Sequence, residues 1–389
     1  MTNPWIESLN FAADHITAST MWLRVINTLC LVGAFVAAGA AFRHWRQSRA
    51  VRGGGEGGGN PLAHAAVVVL MLAVASAGSW MWSRYVEVNH FPSQTMAEVL
   101  VMFSSSLLVS VLLLHYALKL GRIGHGWAIV DDSLLILVFL GVWATNTYTT
   151  TLSTAQRDLP PALQSYWFPP HLSALIFSYA TLGIAGAVCL VYFATRFWSG
   201  VFSGGRTKLS QVMVLLLLAL MPFAHFVSLP VLAIVGLVFL GLKWSGNLPG
   251  KEALLGLEKT MDQVSYRAFA VGIPFLTAGL FMGAFWAQEA WANYWGWDSK
   301  ENSALMSWLV YVVYIHLRML GGYRGERAMV VLMGGALSIF LTFQVFGYLP
   351  DSQKSLHRYT DDGVVPMEGR QGGGEAPEDS ARLERRPDA

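Results

Sequence analysis

Apolar runs of bilayer length recur along this chain, and no other feature limits the fold as strongly. A hydrocarbon core about 30 Å thick takes about 20 apolar residues of helix. Such runs lie near 22–42, 62–82, 96–118, 127–146, 171–195, 210–227, 229–243, 268–288, 304–321 and 328–349. The chain is 54% hydrophobic and 13% charged, a balance that a water-soluble fold of 389 residues could hardly keep in solution. The expectation is an all-α, polytopic integral membrane protein of about ten transmembrane helices. Pro222 and Pro230 break the 210–243 pair and its second run is short. That pair is a hairpin or a re-entrant element, and in the second case about eight spans remain.

Sidedness follows from basic residues in short loops. With the N-terminus outside, Arg43, Arg46, Arg49 and Arg52 fall on the inner side, followed by Lys119 and Arg122. Arg196, Arg206, Lys208, Lys243, Lys251, Lys259, Arg267, Arg318, Arg324 and Arg327 fall there too, whereas the outer loops keep only Arg84, Arg157 and Lys300. The outer face then receives 147–170, 286–303 and everything after Pro350. The run "RGGGEGGGN" at 52–60 reads as a flexible inner loop and the polar stretch at the C-terminus as a disordered tail. Residues 1–83 form an N-terminal membrane segment with two helices, 84–360 the main membrane domain and 361–389 the tail. Met1–Thr20 is mixed polar and carries no convincing cleavable signal.

Composition also bounds the chemistry. Cys30 and Cys189 lie singly inside apolar runs, with no CxxC pairing, so no disulfide framework and no cysteine-based zinc or redox site is supported. Any thiol chemistry belongs to another protein. A formal net charge of +2 says little about a partner. No nucleic acid is expected, and lipid surrounds the spans.

Within "WANYWGWDSKEN" three tryptophans fall in seven residues, Trp291, Trp295 and Trp297, with Trp286 just upstream. Lone tryptophans near span ends, such as Trp80, Trp82, Trp127, Trp143, Trp198 and Trp244, suit the headgroup region and need no further account. Four rings on one outer loop, flanked by acids and amides, suit a flat ligand instead. Asp298 with Glu301 three residues on also has the form of a capping box for a helix beginning near Ser299.

Histidine inside or at the edge of a span is costly if charged and needs a partner even when neutral. His171 opens the fifth span after "SYWFPP", and His357 follows the last span in "KSLHRY". Both are expected on the outer face, on either side of the tryptophan loop in sequence. Two opposing imidazoles over a porphyrin, walled by aromatic rings, make a bis-histidine haem site. His316 is expected about 12 residues into the ninth helix and about 18 Å below the outer surface, at about 1.5 Å per residue. Taken alone it reads as a helix-packing or snorkelling residue. His15, His44, His64, His90, His115, His125 and His225 read as surface, interfacial or packing residues.

The run "GAFWAQEAWANYWGWDSKENSALMSWLVYVVYIHLR" resembles the WWD signature of haem-handling proteins in cytochrome c maturation, specifically the CcsA (ResC-like) subunit of the system II cytochrome c synthase. "PALQSYWFPPH", "FPSQTMAE" and "KSLHRY" resemble further segments of that family in the same order, together covering about 84 to 360. The resemblance implies that His171 and His357 are axial ligands to haem at the outer face. It implies that His316 holds haem in transit with a histidine of a partner subunit. Trp291, Trp295, Trp297 and Asp298 match the WWD core and Glu301 its following acid. Three positions depart from the family pattern: Ala292 replaces a glycine, Ser299 a proline and Ser303 a tryptophan. The tract from about 197 to 259 is also longer than the family leads one to expect.

The function so implied is cytochrome c biogenesis, with the 84–360 domain handling haem. Haem b is bound as substrate, presented at the outer face and joined through its vinyl groups to the thiols of a CxxCH motif in apocytochrome c. The chain is then a subunit of a cytochrome c haem lyase, with no catalytic residue assigned apart from haem presentation. Implied partners are a CcsB (ResB)-like membrane subunit, apocytochrome c and thiol-reducing proteins. The implied location is the bacterial cytoplasmic membrane with the haem site facing the periplasm or exterior, or a thylakoid membrane for a plastid chain. Two rivals stand beside this reading. One is a system I CcmF-like haem lyase or CcmC-like delivery protein, and the other is a bis-histidine haem membrane electron carrier.

Overall fold

The computed structural model describes residues 17–52, 59–118, 125–152, 159–202, 225–246 and 248–344. All regular structure among the described residues is helical: α1 (Ala18–Arg52), α2 (Pro61–Val88), α3 (Met96–Leu118), α4 (His125–Thr149), α5 (Phe168–Phe202), α6 (His225–Trp244), α7 (Lys251–Trp291), α8 (Ser299–Met319) and α9 (Glu326–Gln344), with a short 3-10 turn at Pro161–Gln164. Among the described residues, helices α1 to α5 and α7 are the six that are long and apolar enough to cross a membrane. The chain is an integral membrane protein of the all-α class. Helices α6, α8 and α9 are shorter or more polar. The expected helix at 210–227 lies outside the described residues except for its last three, which open α6. The glycines at 53–58, the C-terminal tail and His357 also lie outside them.

Local signals set the ends of these helices. Pro61 stands in the first turn of α2, where its missing N–H costs nothing, and Asn89 closes the helix in the left-handed conformation with its N–H on the Tyr85 carbonyl. The expected boundary between 83 and 84 falls inside the last two turns of α2.

Helix α1 packs on α2 and α4, while α3 packs on α4 and α5; α5 is central to the remainder, against α6, α7 and α9, and α8 lies on α9. The α5–α7 contact is close because α7 offers glycine where α5 offers bulk. A Cβ on Gly272 would stand 2.8 Å from Leu182 Cγ, and one on Gly279 would stand 2.5 Å from Leu175 Cδ2. Small residues at such a seam let two backbones approach, which is how helices associate where solvent supplies little drive.

The buried acids of the described helices have basic partners. Asp131 and Asp132 are neighbours on α4, and successive helical residues point about 100° apart. One carboxylate therefore reaches His115 of α3 at 2.7 Å and the other His44 of α1 at 2.6 Å. The sequence reading of His44 and His115 as surface, interfacial or packing residues gave no sign of these partners. Arg318 of α8 makes a two-pronged pair with Asp262 of α7, at 2.7 and 3.0 Å, with its guanidinium 4.3 Å from the Tyr266 ring centre. In "FPSQTMAE", the buried Glu98 accepts from Arg84 Nε at 2.7 Å and from the main-chain N–H groups of Gln94 and Thr95 at 3.0 Å each. That motif ties the α2–α3 loop to the start of α3.

Candidate aromatic and histidine site

The start of α5 and the end of α7 meet at one end of the bundle. Pro169 and Pro170 lie in the first turn of α5, where proline is tolerated. His171 follows one turn in. Its ring stacks on Trp286 at 5.5 Å and 25°, and its Nδ1 lies 2.8 Å from the Gly279 carbonyl oxygen. A carbonyl only accepts, so Nδ1 carries the proton and Nε2 the lone pair. Gly283, one turn on, makes this approach possible: a Cβ there would meet His171 Cε1 at 2.6 Å.

Trp286 is 2% exposed and donates its indole N–H to the Ala162 carbonyl at 2.7 Å. With Leu163 and Phe168 it forms a small apolar cluster separate from the main core, against which Trp167 and Trp291 pack. Trp291 stands edge-on to Trp286 at 5.0 Å. Ser165 donates to Glu289, a second tie between the segment before α5 and the end of α7. Trp167, Phe285 and Tyr294 continue the aromatic surface, with ring centres 4.9 and 6.4 Å apart in that order.

The four rings expected on one loop divide in two. Trp286 and Trp291 belong to α7, because helical hydrogen bonding runs on to Trp291 and stops at Ala292, which takes the left-handed conformation at φ 56°. Only Trp295 and Trp297 lie on the loop. Trp297 is 71% exposed and also left-handed, at φ 55°, an unusual state for a bulky side chain. Strain of this kind concentrates where a ligand is held.

The loop closes on itself through its acids. Asp298 caps α8 by accepting from the Lys300 N–H at 2.8 Å, and Glu301 reaches back to the N–H groups of Gly296 and Asp298 at 2.8 and 3.2 Å. The capping box is thus present, and Asp298 and Glu301 shape the loop. Asn302 adds a bond to the Trp297 carbonyl at 2.8 Å. Trp295 Nε1 and Ser299 Oγ are shut off from solvent and have no hydrogen-bond partner. An aromatic surface, an imidazole with its lone pair on Nε2 and two sequestered donors fit an iron porphyrin with carboxylate tails.

Because the capping box starts α8 at Ser299, the His316 imidazole lies 17 residues along the helix, about 26 Å from that end. It sits in the last turn of α8, at the end of the bundle opposite His171. It is exposed, and its Nδ1 is bonded to the Val312 carbonyl at 2.7 Å. His171 and His316 therefore cannot serve one macrocycle. The Gly279 carbonyl and Gly283 escaped the sequence reading, although glycines at 272, 279 and 283 lie on one helical face and could have signalled a close neighbour.

The model of a protein family described as "Cytochrome C assembly protein" matches residues 70–350. The chain is similar to the cytochrome c biogenesis protein CcsA of Guillardia theta, 31% identical over 71% of this chain and 79% of the relative. It is similar also to CcsA of Gloeothece citriformis, 28% identical over 77% and 87% of the two chains. CcsA of a Nostoc species is 28% identical over 77% and 88%.

Proposed function

We propose, from the premise that the chain belongs to the cytochrome c assembly protein family, in its CcsA group of system II, and acts in cytochrome c biogenesis, that it holds haem b at the aromatic end of the bundle for attachment to apocytochrome c. The attachment adds a thiol S–H across each vinyl C=C. Sulfur bonds to one carbon and hydrogen to the other, so no oxidant or reductant is consumed. The reacting bonds belong to haem and to the CxxCH thiols, and the protein's part is to orient them.

The observation that carries this reading is the bond between His171 Nδ1 and the Gly279 carbonyl, which directs the lone pair to Nε2 beside the tryptophan surface. A metal-binding imidazole is commonly oriented in this way. His357, outside the described residues, supplies the second axial ligand in this reading. Trp291, Trp295 and Trp297 wall the macrocycle, and Asp298 and Glu301 hold the wall in shape.

His316 has the same tautomer logic at the other end, with Nδ1 on the Val312 carbonyl. It lies in an exposed row with Met306, Leu309, Val313 and Leu320, spaced three and four residues apart. Such a row suits a helix of a CcsB-like partner carrying a second imidazole. The aromatic end then faces the periplasm, cell exterior or thylakoid lumen, the basic loops face inward, and residues 84–360 form the haem-handling unit. Thiol-reducing proteins keep the apocytochrome ready.

The absorption spectrum of the protein isolated with its partner tests the reading. A low-spin haem signature is expected, altered by His171→Ala and by His357→Ala. Two unaltered spectra would reject the ligand assignment. His316→Ala is expected to lower co-purified haem, with recovery on adding imidazole. A bis-haem electron carrier wants two transmembrane histidine pairs on facing helices of one chain, whereas His171 and His316 lie singly at opposite ends of the bundle.

A further inference from the structure

Several polar hydrogens around the tryptophan loop have acceptors. The Trp286 indole uses the Ala162 carbonyl, the N–H groups of Gly296 and Asp298 use Glu301, that of Lys300 uses Asp298, and the Asn302 amide uses the Trp297 carbonyl. The Trp295 indole N–H and the Ser299 hydroxyl are enclosed and have no partner. Leaving a buried donor unmatched costs about 1–3 kcal/mol. The loop carries two such costs within five residues while its own two carboxylates are engaged by the main chain. An acceptor from outside would remove both.

We infer that Trp295 Nε1 and Ser299 Oγ anchor a carboxylate of the bound porphyrin and so fix its rotation in the plane of the ring. The inference rests on the haem reading above and deepens it. A carboxylate offers about four lone-pair positions on two oxygens, so a single group can take both donors. Bonds to an ionised acceptor are roughly twice as strong as neutral ones. In haem b the two propionates share one edge of the macrocycle and the vinyls lie away from it. Holding the propionate edge at Trp295 and Ser299 turns the vinyl groups away from the loop, toward incoming thiols. Position 299 is also where this chain departs from the proline of the family pattern, which has no hydroxyl to offer.

The test titrates haem, and haem with both propionates methyl-esterified, into the full-length protein purified in lipid-free detergent and cleared of porphyrin. Wild type is expected to bind the free acid about 10-fold or more tighter than the ester. Ser299→Ala and Trp295→Phe, which keeps the ring and loses the N–H, should each erase most of that preference. For Ser299→Ala, affinity for the ester should stay within about 2-fold, and Ser299→Thr should restore the preference. Equal weakening of acid and ester, or a wild type indifferent to esterification, would overturn the anchor while leaving haem binding intact. Failure of wild type to bind either porphyrin would overturn the haem reading and the anchor together. Repeating the titration in phosphatidylglycerol nanodiscs separates a lipid source of the anion: an effect of Ser299→Ala on lipid binding alone would also overturn the proposal.

Discussion

The imidazole of His171 fills the space that any side chain at position 283 would need, since a Cβ on Gly283 would lie 2.6 Å from its Cε1 and 2.9 Å from its Nδ1. Gly283→Ala should thus displace the ring from the Gly279 carbonyl. Replacing helical glycine by alanine gains about 1 kcal/mol, and overpacking costs about 1–3 kcal/mol, so thermal stability should fall only slightly. The haem absorption bands should move in the direction seen for His171→Ala. Gly141→Ala, with nothing within 4 Å of the added carbon, should leave them in place.

Ala292 ends α7 at φ 56°, in a conformation that costs a residue with a Cβ about 1 kcal/mol or more. Ala292→Gly should relieve that strain and stabilise the protein by about 0.5–1 kcal/mol. A thermal unfolding scan in detergent should show a rise of about 1–3 °C.

Asp298 and Glu301 hold the tryptophan loop reciprocally. Each change to alanine should cost about 0.5–2 kcal/mol, the range for lost caps, with Glu301→Ala the larger because its carboxylate serves two N–H groups. The double variant should cost less than the sum, as expected for partners in one network. Unfolding midpoints of the four proteins check this, and haem retention should follow the same order.

Breaking the buried Asp262–Arg318 pair by removing one member leaves an unpaired charge in the bundle. Asp262→Ala should destabilise by about 3–5 kcal/mol, whereas Asp262→Leu combined with Arg318→Met should recover most of the loss. Detergent-solubilised yield and unfolding midpoint report both. Because Arg318 lies two residues beyond His316, the single variant should also reduce haem retained at that end.

Much of this protein can be read from residue order alone. Apolar runs of bilayer length give the helices, since a helix that satisfies its own main-chain groups is what such a run can form in lipid. Asp298 and Glu301 are three apart, so their capping box is a local event and was legible. The motifs around His171 and Trp291 marked the candidate residues and, with the relatives, the family. Other features depend on distances between helices that sequence spacing does not contain. The seating of His171 against Gly279 and Gly283 needs α5 and α7 at their closest approach. The division of Asp131 and Asp132 between His115 and His44 needs α1, α3 and α4 set around one another. The enclosure of Trp295 Nε1 and Ser299 Oγ turned on how the loop folds over itself. Local order fixes what each helix is and which way its side chains point, and only packing decides which groups meet.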